Sequence, residues 1–500
     1  MKTLKNQIFL EFILVLTLVG CSEDFLQKTP QGTLTQANFP VTESDALLAT
    51  NGSYTILRDY FYGFGGFPIL DFMSDDASRG SNLTANVAEL EPFDKFAITP
   101  TSDGIDRWWA ALYQGIRRAN VVIERVPGVD MDMVLRNRYI GEAKFIRALM
   151  YFDLVRAWGG VPIVTTADPP VLVSRSSKEE VYDLIVSDLL FAIDNLSEQL
   201  SLPDAEAGRA TKEAAKALLG KVYLFQKDFI NAEKYLLEVI NADIYGLEPV
   251  FTDANGENGN YGIESVFEIG ALPTYDLYAG LNQYAIIQGI LGVPNKGWGF
   301  NRPTMEFRRS FEPGDPRLKG TIIDLGDTID GTIIVGDITA NDPAVIIDAN
   351  GDTISVQCYN RKVWMRTITD PTVAENGYHR KLIRYADVLL MAAEALNEND
   401  KPSQALVYLN MVRARARQGN NSILPDITVT EKNSLRDKIL FERRHELAME
   451  NMRFWDLVRT GKAATILGPL GFVEGKHELL PIHQTVIDLS LGTITQNPNY

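Results

Sequence analysis

Repeated amphipathic helices are the feature that most constrains how this chain can fold. Apolar residues recur at three- and four-residue steps over 139–157, which predicts a helix with one buried face. Gly159 and the glycine after it should end that helix. The same spacing returns in two adjacent runs over 211–241, where Thr211 is the predicted N-cap, and in two more over 382–417.

Two such helices joined by a short polar turn form a helical hairpin. Alanines alternate with leucines along these runs, which lets the helices pack closely, as in tetratricopeptide-like units. The full tetratricopeptide consensus is absent and the copies lie far apart, so we predict scattered hairpins forming one scaffold. The predicted fold is mainly α, with hairpins near residues 105–160, 178–242 and 381–460.

The region between about 245 and 380 has a different composition. It is rich in Gly, Asn, Asp, Pro and Thr, with short β-branched runs. Asp330-Gly331 and Asn350-Gly351 each separate two such runs, and these pairs tolerate the positive φ that a tight β-hairpin requires. We therefore predict a loop-rich, partly β region. Because loops on a rigid scaffold often carry binding residues, this region is the predicted ligand-facing one.

Charge excludes one class of partner. The chain has 65 acidic and 48 basic side chains, for a formal net charge of -17, and no basic cluster. Nucleic-acid phosphate and anionic lipid headgroups both require concentrated Lys and Arg. We therefore expect no nucleic-acid partner and no broad electrostatic contact with a membrane.

The N-terminus has the pattern of a lipoprotein signal peptide. Lys2 and Lys5 precede a mostly apolar run over 8–19, which is too short to span a bilayer. The run ends at Gly20-Cys21, and a small residue before a cysteine resembles a bacterial lipobox. We predict that residues 1–20 are removed and that acyl chains on Cys21 anchor the protein to a membrane. Cys358 is the other cysteine, so we expect it to be a buried apolar residue without a disulfide.

Motifs for catalysis, cofactors or metals are missing from the sequence. His445 and His477 each begin an H-E-x-x-H pattern, but neither has the second histidine that a zinc site needs. No nucleophile elbow or phosphate-binding loop occurs. Asp348-Ala-Asn350-Gly-Asp352 lacks the later glycine and glutamate of an EF-hand, so a hairpin turn explains it better. We expect no cofactor and no enzyme activity.

One pair of carboxylates leaves a glycosidase open as an alternative. Glu442 and Glu446 lie four residues apart and could be imagined as an acid–base pair. They are interleaved with arginines on a helix whose leucines should face inward. Ion-paired packing is therefore the preferred interpretation.

Several long runs, in order along the chain, resemble the SusD-like (RagB/SusD) family. They are Cys21-Ser-Glu-Asp-Phe-Leu, Trp109-Ala-Ala-Leu-Tyr113 through Asn120, Gly141-Glu-Ala-Lys-Phe-Ile-Arg147 through Trp158-Gly-Gly-Val-Pro162, Lys381-Leu-Ile-Arg384-Tyr-Ala-Asp387, Glu442-Arg-Arg-His-Glu446 through Arg459, Leu480-Pro-Ile, and Gln496-Asn-Pro-Asn-Tyr500. Matches of this number and order are far more specific than one short motif.

The resemblance implies a single SusD-like domain over 21–500 that binds oligosaccharide or polysaccharide without catalysis. Family members cover a SusC-like TonB-dependent transporter in the outer membrane and deliver captured glycan to it. Acidic residues directly after Cys21 resemble export signals, which implies a lipid-anchored protein facing the cell exterior. The open alternatives are a receptor for glycopeptide or peptide, and a helical-repeat interaction protein.

Candidate ligand residues follow from how proteins bind sugars. Aromatic faces pack on the apolar faces of pyranose rings while a few polar groups bind hydroxyls. Trp298 is the leading candidate, because its flanking glycines suit an exposed loop. The other candidates are Tyr275, Tyr278 and Tyr284 in the same irregular stretch, Asp75, Asp76 and Arg79 in an early loop, and Trp108, which should face the cleft while Trp109 is buried.

Overall fold

A computed structural model describes residues 39–62, 70–82, 90–170, 172–271, 284–366 and 377–500. Cys21, Tyr275 and Tyr278 lie outside these residues. The first helices are α1 (Glu43–Tyr54), α2 (Glu91–Asp94), α3 (Ile105–Arg125), α4 (Met133–Trp158), α5 (Lys178–Asn195), α6 (Lys212–Gln226), α7 (Phe229–Ile240) and α8 (Tyr284–Gln288). The remaining ones are α9 (Met305–Ser310), α10 (Arg317–Thr321), α11 (Tyr385–Glu398), α12 (Pro402–Ala416), α13 (Lys432–Glu446), α14 (Arg453–Arg459), α15 (Ala463–Leu467) and α16 (Gln484–Leu489).

Local sequence signals set the ends of the long helices. Thr211 caps α6 as predicted, because its hydroxyl accepts a hydrogen bond of 3.1 Å from the backbone N–H of Ala214. Ser177 and Glu180 form a capping box at the start of α5. Gly159 ends α4 with a φ of 74°, a conformation that favours glycine.

The long helices pack in one continuous series. Each helix from α3 to α7 packs on the next, α7 packs on α11, and α11 packs on α12 and α13. Close approach depends on small residues: a Cβ at Gly220 of α6 would lie 2.6 Å from Leu236 of α7. The predicted mainly α, tetratricopeptide-like scaffold is confirmed. No helix among the described residues is long and apolar enough to cross a membrane.

Short antiparallel ribbons make up the β structure. The strands are β1 (Ala77–Gly80), β2 (Ser265–Ile269), β3 (Phe300–Pro303), β4 (Ile322–Asp324), β5 (Thr328–Ile329), β6 (Thr332–Ile333), β7 (Val345–Ile347), β8 (Thr353–Val356), β9 (Cys358–Asn360) and β10 (Arg380–Arg384). Within the described residues they pair as β1–β3, β2–β10, β4–β9, β5–β6 and β7–β8. The two predicted hairpins are β5–β6 and β7–β8, and Asp330 and Gly331 have the positive φ that the first turn requires.

Buried ion pairs tie this irregular region to α13. Glu442 accepts hydrogen bonds from Arg317 of α10 at 2.6 Å and from Arg413 of α12 at 2.7 Å. Glu446 accepts one of 2.5 Å from Arg415. All five side chains are buried. The predicted ion-paired packing is confirmed.

Candidate functional site

The β1–β3 ribbon brings two of the predicted site regions together. Gly80 of β1 pairs with Phe300 of β3, and Ser81 donates its backbone N–H to the carbonyl of Gly299. A Cβ at Gly80 would lie 2.7 Å from that carbonyl, so the close approach requires glycine. Arg79 in the first strand and Trp298 just before the second therefore lie at the same end of the ribbon. We call this end, with Arg79, Asn82 and Trp298, the ribbon end.

Trp298 is an exposed side chain on a fixed backbone. Its backbone N–H donates to the carbonyl of Ile286 in α8 at 2.9 Å, and a Cβ at Gly297 would lie 2.1 Å from the same oxygen. The Trp298 side chain is 39% exposed, whereas Trp108, Trp109, Trp158 and Trp455 are buried. The backbone contacts fix the main chain from which the indole projects, and the side chain remains accessible to solvent.

Arg79 lies at the same end of the ribbon as Trp298, and its guanidinium is already paired. Its Nε is 2.9 Å from a carboxylate oxygen of Glu91 in α2. Beneath it, burial raises the pKa of Asp94 to about 6, although a hydrogen bond from the Arg79 backbone partly opposes that rise. The ribbon end therefore combines an aromatic surface with a paired guanidinium and carboxylates.

Asp75 and Asp76 do not reach the ribbon end, contrary to the prediction that they bind a ligand. Both are buried just before β1, where Asp75 accepts hydrogen bonds of 2.8 and 3.0 Å from Arg453. Asp76 accepts one of 2.6 Å from Arg444. Burial opposes ionisation of Asp75, but Arg453 and Arg444 lower its pKa overall, while burial raises the pKa of Asp76. These carboxylates fix the strand to the helices and present no surface to a ligand.

Trp108 and Tyr284 are buried in the wall of a small, partly open cavity and do not face an exposed cleft, which corrects both predictions. Their exposures are 3% and 5%. The Trp108 ring packs 5.0 Å from the ring of Trp158, and Tyr284 stacks on Tyr378 at 5.8 Å. The cavity has a volume of about 90 Å³. It is smaller than ligand pockets of about 300 Å³ and above, so it has room for water but not for an oligosaccharide.

Trp364 is a partly exposed aromatic residue that was not predicted from the sequence. It is half-buried, and its Nε1 donates a hydrogen bond of 2.9 Å to Asp330. Two cations lie over its ring, Lys296 at 5.1 Å and Arg361 at 5.5 Å from the centroid. The signal that could have found it is a tryptophan between basic residues in the loop-rich region.

The carboxylate pair on α13 does not support catalysis. Burial alone would raise the pKa of Glu446, but Arg415, Arg384 and Arg317 hold it well below its ordinary value. A carboxyl that stays ionised cannot supply the proton that a glycosidase acid donates to the leaving group. Glu442 and Glu446 are buried in ion pairs with arginines, and the described residues contain no group of side chains suited to a metal ion.

The fold and site define a class: a helical-hairpin scaffold that holds an exposed aromatic on an irregular, ribbon-containing region. The chain belongs to the SusD family, whose sequence profile matches residues 251–500. A second profile, described as starch-binding associating with outer membrane, matches residues 71–224.

Relatives cover nearly the whole chain. SusD-like protein P2 of Formosa agariphila is 28% identical over 98% of this chain and 98% of its own length. Among solved structures, a laminarin binding SusD-like protein is 31% identical, with a TM-score of 0.78 over 92% of this chain and 100% of its own. Surface glycan-binding protein A from Bacteroides thetaiotaomicron, in complex with laminarihexaose, is 23% identical. Its TM-score is 0.74 over 92% of this chain and 100% of its own, and it shares the fold.

Proposed function

We propose that this protein binds oligosaccharide or polysaccharide at the cell surface, without catalysis, through the ribbon end. The observation that carries the proposal is the exposed indole of Trp298, whose backbone is fixed by its own hydrogen bond to α8 and by the bond between the neighbouring Gly299 and Ser81. A flat, preorganised aromatic surface suits the apolar face of a pyranose ring, because little ordering is needed on binding. Asn82 and Arg79 at the same ribbon end supply polar groups for sugar hydroxyls.

Family membership supports the same function. The solved relative at 31% identity is described as laminarin binding, and it covers 92% of this chain. By that likeness, a β-linked glucan is the first ligand to test. Tyr275 and Tyr278 remain proposed ligand-binding residues.

We further propose that acyl chains on Cys21 anchor the protein to the outer membrane, facing the cell exterior. There it passes captured glycan to a SusC-like TonB-dependent transporter. An anchored receptor concentrates its ligand at the transporter entrance, which raises the local concentration without any chemical step.

Labelling cells with a radioactive fatty acid tests the anchor: the native protein should carry label and Cys21→Ala should not. Purification from native membranes should recover a TonB-dependent barrel with the protein, and recovery without any barrel would contradict the partnership.

The binding test uses the unlipidated chain, residues 22–500, against a panel of polysaccharides that includes laminarin. We expect one class of polymer to bind, and Trp298→Ala to weaken that binding by at least about tenfold. Leu200→Ala is the matched control, because Leu200 is an exposed apolar residue outside the site.

Three results would contradict parts of the proposal. Unchanged binding by Trp298→Ala would remove the ribbon end as the site. Binding to no glycan would favour a peptide or glycopeptide cargo. Reducing sugar released in excess of the protein concentration would make the protein an enzyme.

A further inference from the structure

A surface groove lies between the β5–β6 hairpin, α10 and residues 250–252. Its volume is about 450 Å³, within the range of small-molecule sites. Phe251 and Gly320 form part of its wall, and four charged side chains line it, namely Lys319, Asp327, Asp330 and Arg361. The groove is separate from the ribbon end, and Trp298 is not among its lining residues.

Three of these four charged side chains are already paired. Lys319 Nζ lies 2.8 Å from Asp327, and it also binds Asp324 at 2.7 Å. Asp330 accepts the 2.9 Å hydrogen bond from the Trp364 indole, and the Nε of Arg366 lies 3.5 Å from the same carboxylate. The charges of Asp327 and Asp330 are therefore largely compensated within the groove wall.

Arg361 is the exception. Its guanidinium makes no hydrogen bond or ion pair with any described residue, and it lies over the Trp364 ring, 5.5 Å from the centroid. Its backbone is fixed, because its N–H donates to the carbonyl of Thr321 at 2.8 Å. Burial lowers the pKa of Arg361 even though Asp330 and Asp327 oppose that shift, so the groove withdraws this cation from water without supplying an acceptor.

A guanidinium in this position favours one kind of ligand group. It presents five N–H donors in a planar fork that matches the oxygens of a carboxylate or a sulfate. The cation–π contact with Trp364, at 5.5 Å from the ring centroid, restrains the guanidinium, so less entropy is lost when the donors are used. A neutral sugar hydroxyl would satisfy one donor, whereas an anionic group satisfies two and compensates the charge.

We infer that this groove, with Arg361 at its wall, is a second subsite that binds the anionic group of an acidic sugar, a uronate carboxylate or a sulfate ester. The inference rests on the proposed function in that the ligand is a saccharide. It does not depend on the ribbon end. It gives the protein a substrate class, acidic glycans, that the exposed tryptophan alone does not specify.

Calorimetric titration of the chain 22–500 tests the subsite with three probes of similar size: digalacturonate, a sulfated disaccharide from carrageenan, and neutral laminaribiose. We expect at least one anionic probe to bind more tightly than laminaribiose. Arg361→Gln should weaken that binding by at least about tenfold, because the charge and the fork are both lost. Binding of digalacturonate alone would identify a carboxylate ligand, and binding of the sulfated probe alone would identify a sulfate ester.

Two further variants make the test decisive. Thr328→Glu adds a carboxylate at an exposed groove position without touching Arg361, and it should weaken anionic probes by a similar factor. Trp298→Ala should leave anionic binding unchanged, which separates the subsite from the ribbon end. The inference is overturned if no anionic probe binds, if both groove variants bind as the wild type does, or if Trp298→Ala alone abolishes the binding.

Discussion

The indole N–H of Trp158 donates a hydrogen bond of 3.0 Å to the carbonyl oxygen of Pro481, 323 positions further along the chain. Asn497 strengthens this contact, because its Nδ2 donates to the carbonyls of Trp158 at 3.2 Å and Leu480 at 2.7 Å. Its Oδ1 accepts a hydrogen bond of 2.8 Å from Arg175. The C-terminal segment is thereby fixed against the end of α4.

Asn497→Ala should destabilise the protein by about 2–4 kcal/mol, because it leaves buried carbonyl groups and the Arg175 guanidinium with fewer partners. Chemical denaturation of the chain 22–500 measures this change. Thr495→Ala is the control, since Thr495 is exposed two residues away and contributes only its backbone carbonyl to these bonds. Equal stability of the two variants would contradict the role of Asn497 in fixing the C-terminal segment against α4.

The sequence predicted the scaffold well because its signals are local. Helical spacing, the cap at Thr211 and the turn at Asp330-Gly331 each act within a few residues, and each appears in the structure as expected. The contact between Trp158 and Pro481 could not be predicted in this way. Both residues lie in runs that resemble family motifs, but their pairing depends on how the helices stack.

Fewer of the site residues were predicted correctly, because their burial depends on contacts between residues far apart in the sequence. Trp298 was identified because flanking glycines are a local signal for an exposed loop. Asp75 looks like a loop carboxylate in the sequence, but its partner Arg453 lies 378 positions later, so its burial could not be predicted locally. Trp108 and Trp109 are adjacent on α3, and helical spacing could assign one of them to the core but not both.

Truncation of Trp108 and truncation of Trp298 should affect stability to very different extents. Trp108→Ala should destabilise the protein by about 3–5 kcal/mol, because its ring packs on Trp158 in the core. Trp298→Ala should change stability by about 1 kcal/mol or less, because the side chain is 39% exposed and is not part of the buried hydrophobic core. Thermal and urea unfolding of both variants distinguishes the roles, and a strongly destabilised Trp298→Ala would show that Trp298 is a packing residue.

The buried anions of α13 should matter for stability. Glu446→Gln should destabilise the protein by about 3–5 kcal/mol, because it leaves Arg384 and Arg415 as buried cations without full compensation. Glu474→Gln is the matched control, since Glu474 is exposed. A Glu446→Gln variant as stable as the control would indicate that the cluster is not held together by charge.

Asp71 provides a prediction on pH. It is 1% exposed, and it accepts hydrogen bonds of 3.1 Å from the Asn301 side chain and 3.0 Å from the Asn451 backbone. Burial raises its pKa from 3.8 to about 7, and the nearby charges of Asp76 and Glu450 act in the same direction. The folded protein therefore keeps a proton on Asp71 at pH values where the unfolded chain has lost it.

A carboxyl with a raised folded-state pKa destabilises the native state as pH rises from about 4 to about 7, and the loss is complete above the folded pKa. Paired carboxylates such as Asp387, whose pKa is lowered by Lys221 and Arg443 despite burial, act in the opposite direction. The effect of Asp71 is isolated by subtracting the unfolding free energy of the wild type from that of Asp71→Asn. That difference should increase between about pH 4 and pH 7, by up to roughly 4 kcal/mol, and then stay constant. Urea unfolding of both proteins across this range measures it, and parallel pH profiles would show that Asp71 is already ionised in the folded protein.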